Sequence, residues 1–328
     1  FFFKQKTAYE IVSRDWSSDV CSSDLDGVLL DVHAASVNFV DLVVMGGTYQ
    51  FSPKLPYIPG KLPVGIVAAV GTDVKDVKPG DRVLAMAEQG AFAEQVMAPA
   101  KQCVPLPAAL PFTEAAAMAL IYDTAYFALK ERGRIQPGES VLILGATGGV
   151  GLAAIQLAKA MGGKVLAAVA SKSKEDIVHA AGADEIIDLS APDLRESLRA
   201  QVYEKVGKGG VDIIIDMLGG DPFDAAVRAL GWNGRLVIIG FASGRVPSLK
   251  MNYVLVKNIE VSGMQISDYR KRRPADMQAC FRQIFEWHAN GKLKPLPTTV
   301  YPLEQFAAAM HAIQDRTVRG RVVLTMRT

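Results

Sequence analysis

A glycine-rich segment, Gly145-Ala146-Thr147-Gly148-Gly149-Val150-Gly151, joins an apolar run that favours a buried strand to an alanine-rich run that favours a helix. A turn without bulky side chains lets backbone N–H groups approach a pyrophosphate at the helix N-terminus, where the helix dipole favours negative charge. The segment therefore predicts a dinucleotide-binding turn. A glycine-rich connection without a ligand is the alternative interpretation. The predicted cofactor-binding residues of the turn are Gly145, Thr147, Gly148, Gly149, Val150 and Gly151.

The residues after the next strand indicate which of the two nicotinamide dinucleotides, NADH or NADPH, is bound. An acidic side chain that binds the ribose 2′-hydroxyl is expected about 20 residues after the turn. The strand Lys164–Val169 instead runs into Ser171, Lys172 and Lys174, whose hydroxyl and ammonium groups suit a 2′-phosphate. Solvated surface lysines are the alternative, but lysine in a first helical turn opposes the helix dipole by about 0.3–1 kcal/mol, which a bound phosphate would reverse. We therefore predict NADPH rather than NADH.

The composition is that of a globular protein with no nucleic-acid or membrane partner. The chain has 328 residues, enough for two domains; half of them are apolar and 21% are charged. A net charge of +2 gives no reason to expect nucleic acid or an anionic membrane, and no apolar run reaches the ~20 residues that span a bilayer. Cys21, Cys103 and Cys280 are too few and too far apart for a disulfide framework or a zinc cluster. A cytoplasmic location is the expectation.

The N-terminal segment, residues 1–25, differs in pattern from the rest. It begins with Phe1-Phe2-Phe3, lacks helical or strand periodicity and ends in a repeated Ser-Ser-Asp. It also lacks the apolar core of ~7–15 residues that a signal peptide requires. The segment resembles translated sequencing-adapter read-through, and we expect a non-native or disordered tail outside the fold.

Short strands separated by glycine and proline fill the first part of the chain, and strands alternate with helices after Phe112. The first pattern predicts a small, partly closed β domain. The second predicts a doubly wound parallel sheet of six strands, the Rossmann type of α/β fold. Asp221-Pro222 has the pattern of a helix N-cap followed by proline. The predicted strands are residues 28–35, 64–71, 82–86 and 92–98 in the first part, and 141–144, 164–169, 185–188, 212–216, 235–240 and 258–263 in the second.

The last part of the chain begins with a basic segment, Arg270-Lys271-Arg272-Arg273. We interpret it as a solvated helix entrance, because four cations without interleaved aromatic residues are weak evidence for nucleic-acid binding. Two helices and a final strand, Arg321–Thr325, follow. We expect this part to pack back onto the first domain. The predicted domains are thus residues 26–120 with 266–328, and residues 121–265.

From Asp26 onwards the order of elements resembles the medium-chain dehydrogenase/reductase superfamily. Val37-Asn38-Phe39-Val40-Asp41-Leu42 and Gly90-Ala91-Phe92-Ala93-Glu94 resemble segments of its zinc-independent quinone oxidoreductases, the zeta-crystallin-like branch. Thr124-Ala125-Tyr126 resembles part of their nucleotide half. The resemblance implies a GroES-like β domain and a Rossmann domain with the cofactor in the cleft between them. It also implies a homodimer formed by sheet extension at the last Rossmann strand.

The resemblance further implies that no metal is bound. Zinc-dependent relatives carry a cysteine at the position of Asn38 and a His-Glu pair at the positions of Lys61 and Leu62. Neither an amide nor an ammonium group suits a catalytic zinc site built of Cys, His and carboxylate ligands.

Without a metal or a nucleophile, the simplest chemistry is hydride transfer from nicotinamide to a bound small-molecule electrophile, a quinone or an enone. Asn38, Tyr49 and Thr124 are the predicted catalytic residues, as hydrogen-bonding groups near the accepting oxygen or the nicotinamide. The alternatives are a helix cap, a packing tyrosine and a threonine bonded to its own backbone. Lys61 is a candidate for stabilising a developing phenolate, although a surface lysine is the commoner case.

Gly240 ends the fifth predicted Rossmann strand and Phe241 follows it, where the backbone is expected to approach the nicotinamide; an ordinary turn is the alternative interpretation. Two other functions remain open, since a fold does not fix a function. An enoyl-thioester reductase would need cations for coenzyme A, for which Lys61 and the basic segment are available. A crystallin-like protein would bind NADPH with little turnover.

Overall fold

The computed structural model describes residues 25–50, 53–315 and 317–326. The prediction for the N-terminal tail therefore falls outside the described residues, apart from Leu25. The strands are β1 (Gly27–Val37), β2 (Val64–Val70), β3 (Arg82–Ala85), β4 (Gln95–Pro99), β5 (Cys103–Pro105), β6 (Ser140–Leu144), β7 (Lys164–Val169), β8 (Glu185–Asp188), β9 (Val211–Asp216), β10 (Leu230–Ile238), β11 (Glu260–Gly263), β12 (Thr298–Pro302) and β13 (Arg321–Thr325). The α-helices are α1 (Phe39–Met45), α2 (Phe112–Met118), α3 (Ile121–Phe127), α4 (Gly149–Ala160), α5 (Glu175–Ala181), α6 (Leu194–Val206), α7 (Gly220–Ala226), α8 (Met251–Lys257), α9 (Ile266–Arg272), α10 (Pro274–Ala289) and α11 (Phe306–Gln314).

Contacts divide the chain into two compact units. The first unit consists of the described residues up to Ala116, Tyr301–Met310 and the chain from Val323. The second unit consists of Ala117–Val300 and His311–Val322.

The first unit is built on a seven-stranded sheet of order β12-β13-β1-β2-β3-β5, with β4 paired to β1. Strand β1 pairs antiparallel with both β2 and β4. Its alternating apolar residues, such as Val28 and Leu30, are fully buried beside Val67 and Val83, because successive side chains of a strand point to opposite faces of the sheet. The four strands predicted for the first part of the chain are all present, and β5 is an addition to them.

The second unit contains a parallel six-stranded sheet of order β8-β7-β6-β9-β10-β11. This is the order of a doubly wound dinucleotide fold, whose direction reverses between β6 and β9. The central strands β6, β7 and β9 are almost wholly buried, because a parallel sheet packs helices against both faces, whereas the edge strands β8 and β11 are more exposed. The prediction of six parallel strands is confirmed.

Contacts group residues 266–300 with the second unit, whereas the predicted domain boundaries placed them with the first domain. The physical reason is the packing of α9 and α10 on α3. Arg270 of α9 forms an ion pair with Asp123 of α3, at 2.7 Å between Nη2 and Oδ2. The Trp287 ring of α10 lies 6.2 Å from the Tyr126 ring of α3.

Two local predictions also need correction. Arg270 is 1% exposed, so the basic segment is not a wholly solvated helix entrance. Helix α7 begins at Gly220 with Gly219 as its N-cap, so Asp221 lies inside the first turn instead of capping it. Gly219 has a φ of +65°, a conformation that glycine adopts without strain.

Among the described residues, no helix combines the length and the apolar character needed to cross a membrane. Cys103 and Cys280 are buried free thiols, and Cys21 falls outside the described residues.

Candidate functional site

The glycine turn between β6 and α4 has no room for a side chain at Gly149 or Gly151. Gly145 has a φ of +83°, which glycine tolerates and other residues rarely adopt. A Cβ atom on Gly151 would lie 2.3 Å from the Gly145 carbonyl oxygen, and one on Gly149 would lie 2.6 Å from Nη1 of Arg321. Gly148 is the N-cap of α4 and is exposed. The turn therefore presents bare backbone at a helix N-terminus, which is the geometry that binds a pyrophosphate. Thr147 and Val150 of the same turn are half-buried.

Two further loops of the second unit lie beside this turn, at the carboxyl edge of the sheet. The loop after β9 contacts it, since Cδ2 of Leu218 lies 3.2 Å from the place of a Cβ on Gly145. The loop after β10, which carries Gly240 and Phe241, is tied to the same loop, because the Ala242 N–H donates to the Met217 carbonyl at 3.0 Å. The structure thus brings the loop of Gly240 and Phe241 close to the glycine turn.

Asp216, at the end of β9, organises these loops. Its Oδ1 accepts hydrogen bonds from the N–H groups of Leu218 at 2.8 Å and Gly219 at 3.0 Å. The side chain is fully buried, and burial raises the pKa of its carboxyl. Sequence reasoning missed this residue, although a carboxylate that ends an apolar strand just before Gly219 and Gly220 was a usable signal.

Arg321 is a second residue that the sequence did not reveal. It is buried, its Nε donates to the Ala117 carbonyl at 3.0 Å, and its guanidinium lies against Gly149, the first residue of α4. A guanidinium and the positive end of a helix dipole are therefore close together. Two positive groups side by side favour an anion between or beside them, as a pyrophosphate would be.

The predicted 2′-phosphate residues lie together after β7. Lys172 and Lys174 occupy a 3-10 turn, Lys172–Lys174, and α5 begins only at Glu175. Because the 3-10 turn has Ser171 as its N-cap and runs directly into α5, these lysines do lie in the first helical turn, although that turn is not α-helical. The grouping of cations and hydroxyls remains, since the Ser171 and Ser173 hydroxyl oxygens lie 2.9 Å apart and Ser171 and Lys172 are exposed.

A distant segment adds Arg319 to this group. Its Nη2 donates to the Ser173 carbonyl at 3.3 Å and pairs with the Asp176 carboxylate. A carboxylate does stand at the neighbouring strand end, because Asp188 of β8 pairs in register with Val169. Asp188 accepts hydrogen bonds from both the N–H and the hydroxyl of Ser190, and these bonds lower the pKa of its carboxyl.

Thr124 lies in α3, whose residues are all buried. Its hydroxyl donates to the Leu120 carbonyl at 2.5 Å, and its N–H donates to Oδ1 of Asp123 at 2.6 Å. The single hydroxyl proton is thus hydrogen-bonded to the backbone of the same segment, which is the alternative interpretation given for Thr124 from the sequence. The oxygen keeps lone pairs, so towards a ligand it is an acceptor.

In the first unit, Asn38 is the buried N-cap of α1. Its backbone N–H donates to Oδ2 of Asp41 at 2.8 Å, and its Nδ2 donates to the Ser36 carbonyl at 2.9 Å. Tyr49 follows α1 in the loop and is half-buried. Lys61 lies near it, with Nζ 5.9 Å from the centroid of the Tyr49 ring.

Lys61 is not a surface lysine, since it is only 7% exposed. Its ammonium donates to Oε2 of Glu88 at 2.7 Å and to the Glu88 carbonyl at 3.1 Å. The preceding residue, Gly60, has no room for a side chain. It has a φ of +87°, and the Phe92 ring lies 2.4 Å from the place that its Cβ would take.

Tyr57 is a third residue that sequence reasoning missed. Its hydroxyl is buried and, among the described residues, has no hydrogen-bond partner. Burial and the charge of Asp41 raise the pKa of the Tyr57 hydroxyl. A buried donor without a partner is rare in folded proteins, and a ligand is one way to satisfy it.

In the part of the chain that the structure describes, no group of three or more His, Cys, Asp or Glu side chains is arranged to hold a metal ion. Asn38 and Lys61, at the positions where zinc-dependent relatives carry Cys and His, form the hydrogen bonds to Ser36 and Glu88 given above.

Two family models match the chain. The alcohol dehydrogenase GroES-like domain matches residues 24–108, and a model described as zinc-binding dehydrogenase matches residues 149–285. Quinone oxidoreductase-like protein 2 of Bos taurus is 35% identical over 301 residues, which cover 92% of this chain and 85% of that protein.

Solved structures of quinone oxidoreductases and of an enoyl reductase are similar to this chain. The quinone oxidoreductase of Pseudomonas syringae pv. tomato superimposes with a TM-score of 0.84 at 30% identity, covering 92% of this chain and 91% of that one. The quinone oxidoreductase of Escherichia coli complexed with NADPH gives 0.83 at 30% identity, with the same coverage. The CurK enoyl reductase gives 0.81 at 26% identity, again covering 92% and 91%. The predicted combination of a GroES-like domain and a Rossmann-type sheet is confirmed.

Proposed function

Because the chain belongs to the quinone oxidoreductase-like branch of the medium-chain dehydrogenase/reductase superfamily, we propose that it transfers a hydride from NADPH to a quinone or a similar small electrophile without a metal ion. The observation that carries the proposal is the glycine turn. Its missing Cβ atoms, its exposed helix N-cap and the neighbouring Arg321 form a cradle for a pyrophosphate.

The second unit holds the cofactor in this proposal. Backbone N–H groups of the turn and the Arg321 guanidinium would hold the pyrophosphate, and the loop of Gly240 and Phe241 would hold the nicotinamide. The 2′-phosphate is bound by Ser171, Lys172 and Lys174, with Arg319 close by. The bound cofactor supplies the hydride.

Thr124 orients the nicotinamide end. Because its hydroxyl proton is bonded to the Leu120 carbonyl, the oxygen accepts a hydrogen bond from the carboxamide or from a ribose hydroxyl. An acceptor of fixed direction helps to hold the transferring carbon in a reactive orientation.

The first unit binds the electrophile. The Tyr57 hydroxyl, which lacks a hydrogen-bond partner among the described residues, donates to the accepting oxygen of the substrate, and Asn38 and Tyr49 of the same unit contribute to the site. As negative charge develops on that oxygen, the Tyr57 hydrogen bond strengthens, which is the interaction that speeds a reaction. The charge of Lys61 is largely balanced by Glu88.

The chemistry of two side chains supports the proposed metal independence. An ammonium group such as that of Lys61 has no lone pair to give to a metal ion, and the Asn38 amide is a poor zinc ligand. Turnover is accordingly expected to survive treatment with a chelator.

An enoyl-thioester reductase is the second candidate, favoured by the structural similarity to the CurK enoyl reductase. Of the cations expected to bind coenzyme A in such an enzyme, Arg270 is buried in an ion pair with Asp123 and does not face solvent. The discriminating experiment follows NADPH absorbance at 340 nm with 9,10-phenanthrenequinone and with crotonyl-CoA side by side. Turnover with the quinone alone supports our proposal, and turnover with crotonyl-CoA alone would transfer the chain to the enoyl reductases. Tight NADPH binding without turnover on either would leave the crystallin-like function.

We also propose a homodimer formed through β11. This strand is one of the two edges of the parallel sheet, the other being β8, and Val261 on it is partly exposed. Helix α8, which precedes it, exposes Met251, Leu255 and Val256. An unpaired strand edge next to an exposed apolar patch is suited to pairing with a second copy of the chain.

A further inference from the structure

Helices α3 and α9 of the second unit are joined by an ion pair that is shielded from water. Arg270 is 1% exposed and Asp123 is 0% exposed. Nε and Nη2 of Arg270 donate to the same oxygen, Oδ2 of Asp123, at 3.0 and 2.7 Å. Replacing such a pair by apolar residues is often neutral or stabilising, so stability alone is a weak reason for it.

The other carboxylate oxygen of Asp123 is bonded to Thr124. Oδ1 accepts the Thr124 N–H at 2.6 Å and lies 3.3 Å from the Thr124 hydroxyl oxygen. The hydroxyl donates its proton to the Leu120 carbonyl at 2.5 Å. Leu120 itself has a φ of +66°, a conformation that costs free energy for a residue with a side chain. The start of α3 is therefore a strained turn held by polar bonds on both sides of Thr124.

We infer that the buried Asp123–Arg270 pair is a positioning device for Thr124, which fixes its hydroxyl as a hydrogen-bond acceptor for the nicotinamide end of the cofactor. The inference rests on the role of Thr124 in the proposed function. Arg270 fixes Asp123 from a different helix, and Asp123 fixes the backbone of Thr124. The Thr124 hydroxyl then bonds to Leu120 with its proton and keeps its lone pairs for a ligand donor. Asp123 and Arg270 are positioning residues, since they act through Thr124.

A double-mutant cycle tests this coupling. The variants are Thr124→Val, which removes the hydroxyl, the double substitution Asp123→Leu with Arg270→Met, and the triple combination. The control is Glu139→Leu with Arg235→Met, which removes another largely buried pair of the second unit. The readouts are the Kd for NADPH from fluorescence titration, the split between KM and kcat with 9,10-phenanthrenequinone, and the thermal unfolding midpoint.

We expect Thr124→Val and the Asp123/Arg270 variant each to weaken NADPH binding about tenfold, equivalent to about 1.4 kcal/mol. The triple variant is expected to bind no more weakly than Thr124→Val, because one interaction is lost in both cases. The control pair is expected to leave the Kd unchanged. Losses that multiply to about a hundredfold would overturn the inference, as would an unchanged Kd in the Asp123/Arg270 variant.

Two further outcomes are covered. If the Asp123/Arg270 variant does not fold, Arg270→Lys replaces it in the same cycle, because a lysine keeps the charge and loses the two-nitrogen geometry. If the wild-type protein binds NADPH but does not oxidise it with any acceptor tested, the proposed reaction is wrong. The binding measurements of the mutant cycle still test the inference in that case. If Thr124→Val binds NADPH as the wild type does, the inference is wrong whatever the reaction.

Discussion

Two segments far apart in the chain supply the positive charge after β7. Lys172 and Lys174 come from the turn itself, and Arg319 arrives from just before β13 to bond the Ser173 carbonyl. Arg319 is partly committed to Asp176, so the lysines are the cations with freedom to turn towards a phosphate. We therefore propose that these lysines determine the choice of NADPH over NADH.

The Lys172→Ala/Lys174→Ala variant is expected to raise the KM for NADPH about tenfold or more and to leave that for NADH unchanged, since a hydrogen bond to a charged group is worth about 1.5–3 kcal/mol. Initial rates at 340 nm with both cofactors measure this. Lys208→Ala, an exposed lysine elsewhere in the same unit, is the matched control. An equal loss with both cofactors would mean that the lysines do not contact the 2′-phosphate.

The hydroxyl of Tyr57 is expected to matter for turnover and not for stability. Because this buried donor has no hydrogen-bond partner among the described residues, its removal loses no bond that the structure shows, so Tyr57→Phe should unfold at the wild-type temperature or slightly above it. Its kcat with 9,10-phenanthrenequinone is expected to fall about tenfold, because the hydrogen bond to the developing oxyanion is lost.

Steady-state kinetics and thermal unfolding check the Tyr57 prediction. Tyr203→Phe, on α6 in the second unit, is the control and should change neither quantity appreciably. A Tyr57→Phe enzyme with wild-type kcat would remove Tyr57 from the substrate site.

At the scale of elements, the β6–α4 connection depends on the absence of side chains. Gly151→Ala would push a methyl group against the Gly145 carbonyl, and Gly149→Ala would push one against the Arg321 guanidinium. Both substitutions are expected to weaken NADPH binding at least tenfold. Gly151→Ala should be the worse folded of the two, because a backbone oxygen cannot move aside as a side chain can.

Fluorescence titration with NADPH and thermal unfolding measure both glycine variants. Gly209→Ala is the control, since a Cβ there meets nothing within 4 Å and its φ is not in the left-handed region. Wild-type affinity in Gly151→Ala would contradict the assignment of this turn as the pyrophosphate cradle.

The central parallel strands β6, β7 and β9 were predictable because each is a largely apolar run between turn residues. Strand β7 coincides with its predicted bounds, and β6 differs by one residue. Strand β5 has only three residues, too few for a pattern. The family resemblance predicted from the sequence is confirmed by the similarity to known quinone oxidoreductases.

What the sequence did not reveal lies in contacts between distant residues. Lys61 and Arg270 were interpreted as surface cations, because their carboxylate partners stand 27 and 147 residues away. The side on which α9 and α10 pack depends on the same long-range ion pair. The roles of Asn38, Tyr49 and Thr124 stay predictions until the variants above are measured.

At the scale of the whole molecule, the open edge at β11 predicts the oligomeric state. Leu255→Glu combined with Val261→Glu places charges on the proposed interface and is expected to convert a dimer into a folded monomer. Sedimentation at micromolar concentration measures this, with Trp232→Ser, an exposed apolar residue of β10, as the control. A wild-type chain that sediments as a monomer would contradict the dimer. The cytoplasmic location also stays a prediction.

The central claim is that NADPH reduces a quinone on this chain without a metal ion. The most direct measurement is the rate of absorbance loss at 340 nm with 9,10-phenanthrenequinone, using chelator-treated wild-type protein and comparing NADPH with NADH. We predict quinone-dependent loss of NADPH at the untreated rate, with kcat/KM at least tenfold above that for NADH. Loss of activity on chelation, or an equal or faster reaction with NADH, would contradict the account.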